Sequence, residues 1–261
     1  MGPQRVLIVC TSHDRLGSTG KATGLWLEEL AVPYWVLRDA GYEVDVVSMA
    51  GGRVPLDPRS TDESDRPAAV ERFLADRTAA DAIASTRRLA DIAPDAYAAI
   101  FLPGGHGAMW DFAADEQLAR AVAAAYDDGR IVAAVCHGPA GLVGAVRADG
   151  KALVGARRVT SFTNHEEAEV GLTDAVPFLL ESRLRELGAI FECAHAFSPY
   201  VVRDGNLVTG QNPQSSRAVA EAVVAVLAEH RPHDSASAAR EAGLSVRADM
   251  RPGPASQASR R

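Results

Sequence analysis

The sequence predicts an α/β fold, a doubly wound and mostly parallel sheet with helices on both faces. Short apolar runs rich in Val and Ile alternate with longer segments of helical spacing. Gly or Pro marks most of the boundaries between them. The first run, "RVLIVCTS" (5–12), reads as a buried strand, and 24–40 carries helical spacing after it. "EVDVVSM" (43–49) is the next strand, followed by helical spacing over 67–89. "YAAIFLPG" (97–104) is a strand that exits on Pro-Gly, and 115–128 is helical. "IVAAVC" (131–136) and "RRVTSFT" (157–163) complete the buried strands, and 174–187 returns to helical spacing. "PYVVRDGNLVTGQNP" (199–213) has the form of a hairpin turning at Asp-Gly-Asn, and "SSRAVAEAVVAVLAEH" (215–230) is a last helix with a Ser cap.

Composition narrows the function classes. A chain of 261 residues, 47% hydrophobic and 23% charged, has an ordinary soluble composition. A net charge of −7 argues against a nucleic-acid or anionic-membrane partner. Cys10, Cys136 and Cys193, odd in number and widely spaced, form neither a disulfide framework nor a zinc site, and the seven histidines show no metal-ligand spacing. Cys10 and Cys193 are expected in the core. The N-terminal apolar run is too short for a signal-peptide core and no run could span a membrane, so the chain is expected in the cytoplasm. After His230 the composition turns to Ser, Ala, Arg, Pro and Gly. One domain over 1–231 and a disordered tail over 232–261 are therefore expected.

In an open parallel sheet, ligands bind beyond the carboxyl ends of the strands. Cys136-His137, "GGHG" (104–107) and "NHEE" (164–167) each follow a strand at that edge. The helix after the first strand adds a fourth feature. On a wheel of 3.6 residues per turn, Glu28 and Asp39 fall on the solvent side, but Glu29 lies among Leu25, Val36 and Ala40. Pro33, four residues on, removes the helical partner of the Glu29 carbonyl and should kink the helix. A carboxylate on a buried stripe is costly unless something uses it. Cys136, at a sharp strand-to-helix turn with an imidazole beside it, is placed as a nucleophile whose thiol a helix N-terminus would make acidic. The glycine turn at Gly104 and Gly105 offers backbone N–H groups to an oxyanion. The acidic residues of "NHEE" are ambiguous, since charged loop residues are usually solvated.

As an ordered set, "TGLWLEELAVPYWVLRDAGYEV", "GGRVPLDPRS", "FLPGGHGAMWDF", "AAVCHGPAGL", "VTSFTNHEEAEVGLTDAVPFLLE" and "LVTGQNPQSS" resemble the ThiJ/PfpI superfamily, of class I glutamine-amidotransferase-like fold. The match is closest to its glyoxalase III and heat-shock-chaperone branch. The resemblance implies a flavodoxin-like sandwich with Cys136 as nucleophile and His137 as the histidine following it. It further implies Glu29 as the glutamate that hydrogen-bonds the thiol, Glu167 (with Glu166 adjoining) as the acid that orients the histidine, and backbone donors at Gly105 and His137. It also implies a homodimer. His165 and Glu167 have the His-x-Glu spacing of true glutamine amidotransferases, but too close to the cysteine and too far from the chain end. The expected activity is a cofactor-independent, metal-independent glyoxalase of the D-lactate dehydratase type, which converts methylglyoxal or glyoxal to a hydroxy acid through a cysteine hemithioacetal. The alternatives on the same cysteine are a stress-response holdase or redox sensor, and a small-molecule hydrolase, hydratase or amidotransferase.

Overall fold

The structure is a computed structural model that describes residues 4–62 and 66–229. The expected tail, 232–261, lies outside the described residues. Strand β1 (Arg5–Cys10) leads into helix α1 (Leu27–Asp39), which continues through Pro33. Strand β2 (Glu43–Ser48), helices α2 (Ala68–Ala75) and α3 (Arg77–Ala84) and strand β3 (Arg87–Arg88) follow. Strand β4 (Ala99–Leu102) precedes the short helix α4 (Ala108–Asp111), helix α5 (Glu116–Asp127) and strand β5 (Ile131–Val135). Beyond it lie β6 (Arg158–Val159), α6 (Asn164–Glu169), α7 (Leu180–Glu186), β7 (Ile190–Phe191), the hairpin β8 (Val201–Asp204) and β9 (Leu207–Gly210), and α8 (Ser216–Glu229).

Among the described residues, seven strands form one sheet in the order β3-β2-β1-β4-β5-β9-β8. Neighbours are parallel except for the β8–β9 hairpin at one edge. Alternate β1 residues feed two cores, as period-2 geometry requires. Val6, Ile8 and Cys10 pack with Leu30 and Leu37 of α1 and Val219 of α8, while Leu7 and Val9 pack with Leu118 and Val122 of α5. The predicted fold class is therefore the observed one, with Cys10 in its core. Among the described residues no helix is long and apolar enough to cross a membrane.

Three elements differ from expectation. The helix expected over 67–89 is two helices, because Asp76 leaves the helical region (φ −82°, ψ 118°) and its side chain caps α3 by accepting the Ala79 N–H at 2.9 Å. The helix expected over 174–187 starts only at Leu180, after Pro177 has disfavoured helical backbone at Val176. The segment 157–163 does not join the main sheet. The place beside β5 is taken by β9, so only Arg158 and Val159 form a strand, paired with β7 in a separate ribbon. The rest runs past the carboxyl end of β5, where the Phe162 N–H donates to the Cys136 carbonyl at 2.9 Å.

Candidate active site

Cys136 follows the last residue of β5 with φ 59°, in the left-handed region where a non-glycine residue is strained by roughly 1–3 kcal/mol. Two hydrogen bonds clamp it there. Its N–H donates to Gly210 O and its carbonyl accepts from Phe162 N–H, both at 2.9 Å. The turn is too tight for a side chain beneath it: a Cβ on Gly138 would stand 2.0 Å from Leu102 O. The predicted sharp turn is thus present, and it aims the thiol at a cavity of about 480 Å³ lined by Trp26, Arg59, His106, His137, Phe162 and Phe197, among others.

The turn also brings His137 over the thiol, with Nδ1 at 3.3 Å from Sγ. The other nitrogen, Nε2, lies 2.8 Å from Glu167 Oε2. Glu167 is therefore the acid beside the histidine. Glu166, its neighbour, faces the other way and accepts from Thr163 N–H and Oγ1–H, Phe197 N–H, Gln211 Nε2 and Asn212 Nδ2. It serves as the N3 residue of the capping box that starts α6 and ties three loops together. His165 is exposed and pairs with Glu169 at 3.0 Å, so the His-x-Glu spacing does not serve the thiol.

Glu29, isolated by the wheel, is fully buried. The Gly104 N–H donates to its Oε2 at 2.7 Å, and its Oε1 is buried without a hydrogen bond of normal geometry. Burial pushes the Glu29 carboxyl well above the usual carboxylate range, despite opposing contacts with the Cys136 thiol and Gly104. Burial likewise pushes the Cys136 thiol up, and the neighbouring Glu29 pushes it further. The sequence-based expectation of an acidified thiol is corrected here. Cys136 is only 4% exposed, and the helical turn after it is a five-residue 3-10 stretch. Two buried acids side by side resist losing both protons, so a proton is held between them. Gly104, expected among the oxyanion donors, has its N–H engaged by Glu29 instead. The Gly105 N–H is directed at the thiol and partly offsets its upward shift.

Three further residues went unrecognised in the sequence. His106 Nε2 lies 2.8 Å from Glu167 Oε1, and its Nδ1 lies 3.2 Å from Arg59 Nη2. Arg59 is held in turn by buried Asp57 through Nε (2.9 Å) and Nη2 (2.8 Å). Burial and the nearby His137 push the His106 imidazole down to about 4. Burial also works against Glu167, but its electrostatic interaction with His137 and the hydrogen bonds to both imidazoles outweigh it and hold its carboxyl well below the usual range. "GGHG" was read for its glycines, and nothing in the spacing of Asp57 and Arg59 pointed to this site. Two other expectations need correction: Cys193 is exposed, not in the core, and Glu28 is half-buried and lines the cavity rather than facing solvent. His106, His137 and Glu167 have ligand-type atoms within 4.8 Å of one another. The carboxylate between two imidazoles already satisfies all three by hydrogen bonding.

Comparison with known proteins identifies the family and the fold. The model of the DJ-1/PfpI family matches residues 22–226. The glutathione-independent glyoxalase hsp3102 of Schizosaccharomyces pombe is 30% identical, over 87% of this chain and 98% of its own. The solved glyoxalase III of Candida albicans superposes with a TM-score of 0.78 at 29% identity, over 85% of this chain and 96% of that one. The Rapid Encystment Protein 24 kDa of Francisella tularensis superposes with a TM-score of 0.81 at 39% identity, over 85% and 97%.

Proposed function

This chain belongs to the DJ-1/PfpI family, and on that premise we propose that it is a glutathione-independent glyoxalase, which turns methylglyoxal or glyoxal into a hydroxy acid with Cys136 as nucleophile. The observation that carries the reading is the buried Cys136 thiol set between His137 Nδ1 at 3.3 Å and the proton-holding Glu29 carboxyl, open to a cavity.

The chemistry follows from these positions. The thiol proton passes to His137 Nδ1, whose Nε2–H is fixed on Glu167. The thiolate adds to the aldehyde carbon and the carbonyl oxygen takes up the Glu29 proton, which gives a hemithioacetal and leaves Glu29 a carboxylate. Glu29 then removes the hydrogen from that carbon, and an enediol forms when the neighbouring carbonyl oxygen is protonated. Glu29 returns its proton to the second carbon while the hydroxyl on the first carbon gives its proton to His137, which produces the thioester of the hydroxy acid. Water cleaves the thioester, releasing lactate or glycolate and restoring the thiol. Glu29 suits the carbon-to-carbon transfer because one oxygen is anchored by Gly104, the other has no hydrogen-bond partner, and the carboxyl interacts with the Cys136 thiol.

The proposal includes a homodimer working in the cytoplasm on a small reactive carbonyl, with no resident cofactor. Purified protein given methylglyoxal without glutathione should form lactate, and light scattering should report a dimer. Hydrolysis of glutamine without lactate formation would replace the reading by an amidotransferase.

A further inference from the structure

Arg59, His106, Glu167 and His137 form a chain of side chains from the cavity wall to the thiol, although only the last adjoins Cys136 in sequence. The contacts are 3.2 Å (Arg59 Nη2 to His106 Nδ1), 2.8 Å (His106 Nε2 to Glu167 Oε1), 2.8 Å (Glu167 Oε2 to His137 Nε2) and 3.3 Å (His137 Nδ1 to Cys136 Sγ). The donor inventory orients the chain. A guanidinium can only donate, so His106 Nδ1 must be the acceptor and carries no proton. The proton of a neutral His106 therefore sits on Nε2 and is donated to Glu167. Glu167 accepts on both oxygens, one from each imidazole, which is the arrangement of an ionised carboxylate. His137 then presents Nδ1 to the thiol.

We infer that Arg59 and His106 are positioning residues: Arg59 fixes His106 as its neutral Nε2–H tautomer, and His106 holds Glu167 as a carboxylate, so that the Cys136 proton goes to His137 and not to His106. The two imidazoles need such a device. Their ring centroids are 4.1 Å apart, so two positive charges would repel strongly, and both contact the same carboxylate. Without a cation at Nδ1, His106 could take up the proton itself. The groups facing His106 are Arg59 with its partner Asp57, Glu167 and His137, while Cys136 and Glu28 line the same cavity. Glu167, an acceptor at Nε2, and Arg59, a donor at Nδ1, select the same tautomer, and Arg59 is the group that opposes a second proton at Nδ1.

The inference rests on the reading of Cys136 as nucleophile, and its test keeps the two separable. In the wild-type protein, two-bond ¹H–¹⁵N spectra assigned with His106→Gln should show His106 as the Nε2–H tautomer, unchanged over roughly pH 5 to 8. An Nδ1–H tautomer, or an imidazolium in that range, overturns the inference whatever the enzyme turns over. Arg59→Met removes one of the charges that disfavour the imidazolium, so His106 should ionise at higher pH than in wild type, still below its ordinary 6.5 because burial and His137 remain. Cys136 alkylation and kcat/KM should then both fall several-fold more than in wild type between about pH 6.5 and 4.5. Arg59→Lys, which keeps a cation, should preserve the shape of the wild-type profile. Arg59→Met/His106→Gln should restore the lost acid side, because the amide still donates to Glu167 but cannot ionise. A uniform loss in Arg59→Met, parallel to wild type at every pH, would make Arg59 a merely structural partner of Asp57. Should Arg59→Met not fold once Asp57 is left unpaired, the wild-type spectra and the Arg59→Lys profile decide the matter. Failure to make lactate with the tautomer as stated would sink the glyoxalase reading alone.

Discussion

Glu29→Gln separates proton transfer from packing. Gly104 donates to Oε2 at 2.7 Å, so the glutamine must turn its oxygen there and place its NH₂ at the position of the unpartnered Oε1. Shape and a donor survive, but the group can no longer accept a proton. Turnover of methylglyoxal should fall ~100-fold or more, the usual range for a lost general acid–base, equivalent to about 2.7 kcal/mol on the barrier. Stability should move the other way. A carboxyl whose native value lies above the ordinary 4.5 contributes stability at low pH that is lost as pH rises above that value. The variant escapes this loss. Relative to wild type it should therefore gain up to ~1.4 kcal/mol, or roughly 3–5 °C in Tm, for each pH unit between 4.5 and the native value. Lactate formation and scanning calorimetry from pH 5.5 to 7.5 read both effects, with Asp81→Asn on an exposed turn of α3 as control. Near-normal turnover would refute the shuttle and assign the carbon-to-carbon transfer to His137. A Tm difference that does not widen with pH would refute the raised carboxyl.

Cys136→Ser should abolish carbonyl turnover while Tm stays within a few degrees of wild type, since the clamp on its backbone comes from Gly210 and Phe162; loss of the cooperative transition would contradict this. Glu166→Ala removes an acceptor shared by five donors, so a chemical-denaturation midpoint should report a loss of about 3–5 kcal/mol. His106 is neutral in the native protein down to about 4 but takes up a proton below 6.5 when unfolded, so stability is lost as pH falls through that window. His106→Gln should abolish roughly 3 kcal/mol of that acid sensitivity, read as a flatter Tm against pH between 6.5 and 4. With iodoacetamide on the native protein, exposed Cys193 should label while buried Cys10 labels only on unfolding; labelling of Cys10 at the Cys193 rate would contradict the packing of β1.

The sequence by itself determined the scaffold and two sides of the site. The apolar runs placed β1, β4 and β5, because strands covered on both faces must be apolar along their length, and β2, more polar and buried only at its end, was placed by its valines. Asp204-Gly205-Asn206 placed the β8–β9 turn, which needs the positive φ of Gly205. The position of Glu29 was legible because helical periodicity is a local property: three or four residues on either side define its face. Cys136 and His137 were legible because they adjoin in the chain. Tertiary structure alone decided the rest. Arg59, His106 and Glu167 meet only because the chain ends of separate elements converge at one sheet edge, and no local pattern encodes that meeting. The failure of 157–163 to enter the sheet was likewise a competition, won by the hairpin strand that occupies the place beside β5. The upward shift of the thiol has the same origin. Burial depends on everything packed around a residue, so a sequence that correctly marks Cys136 as a turn residue cannot show that the turn is enclosed.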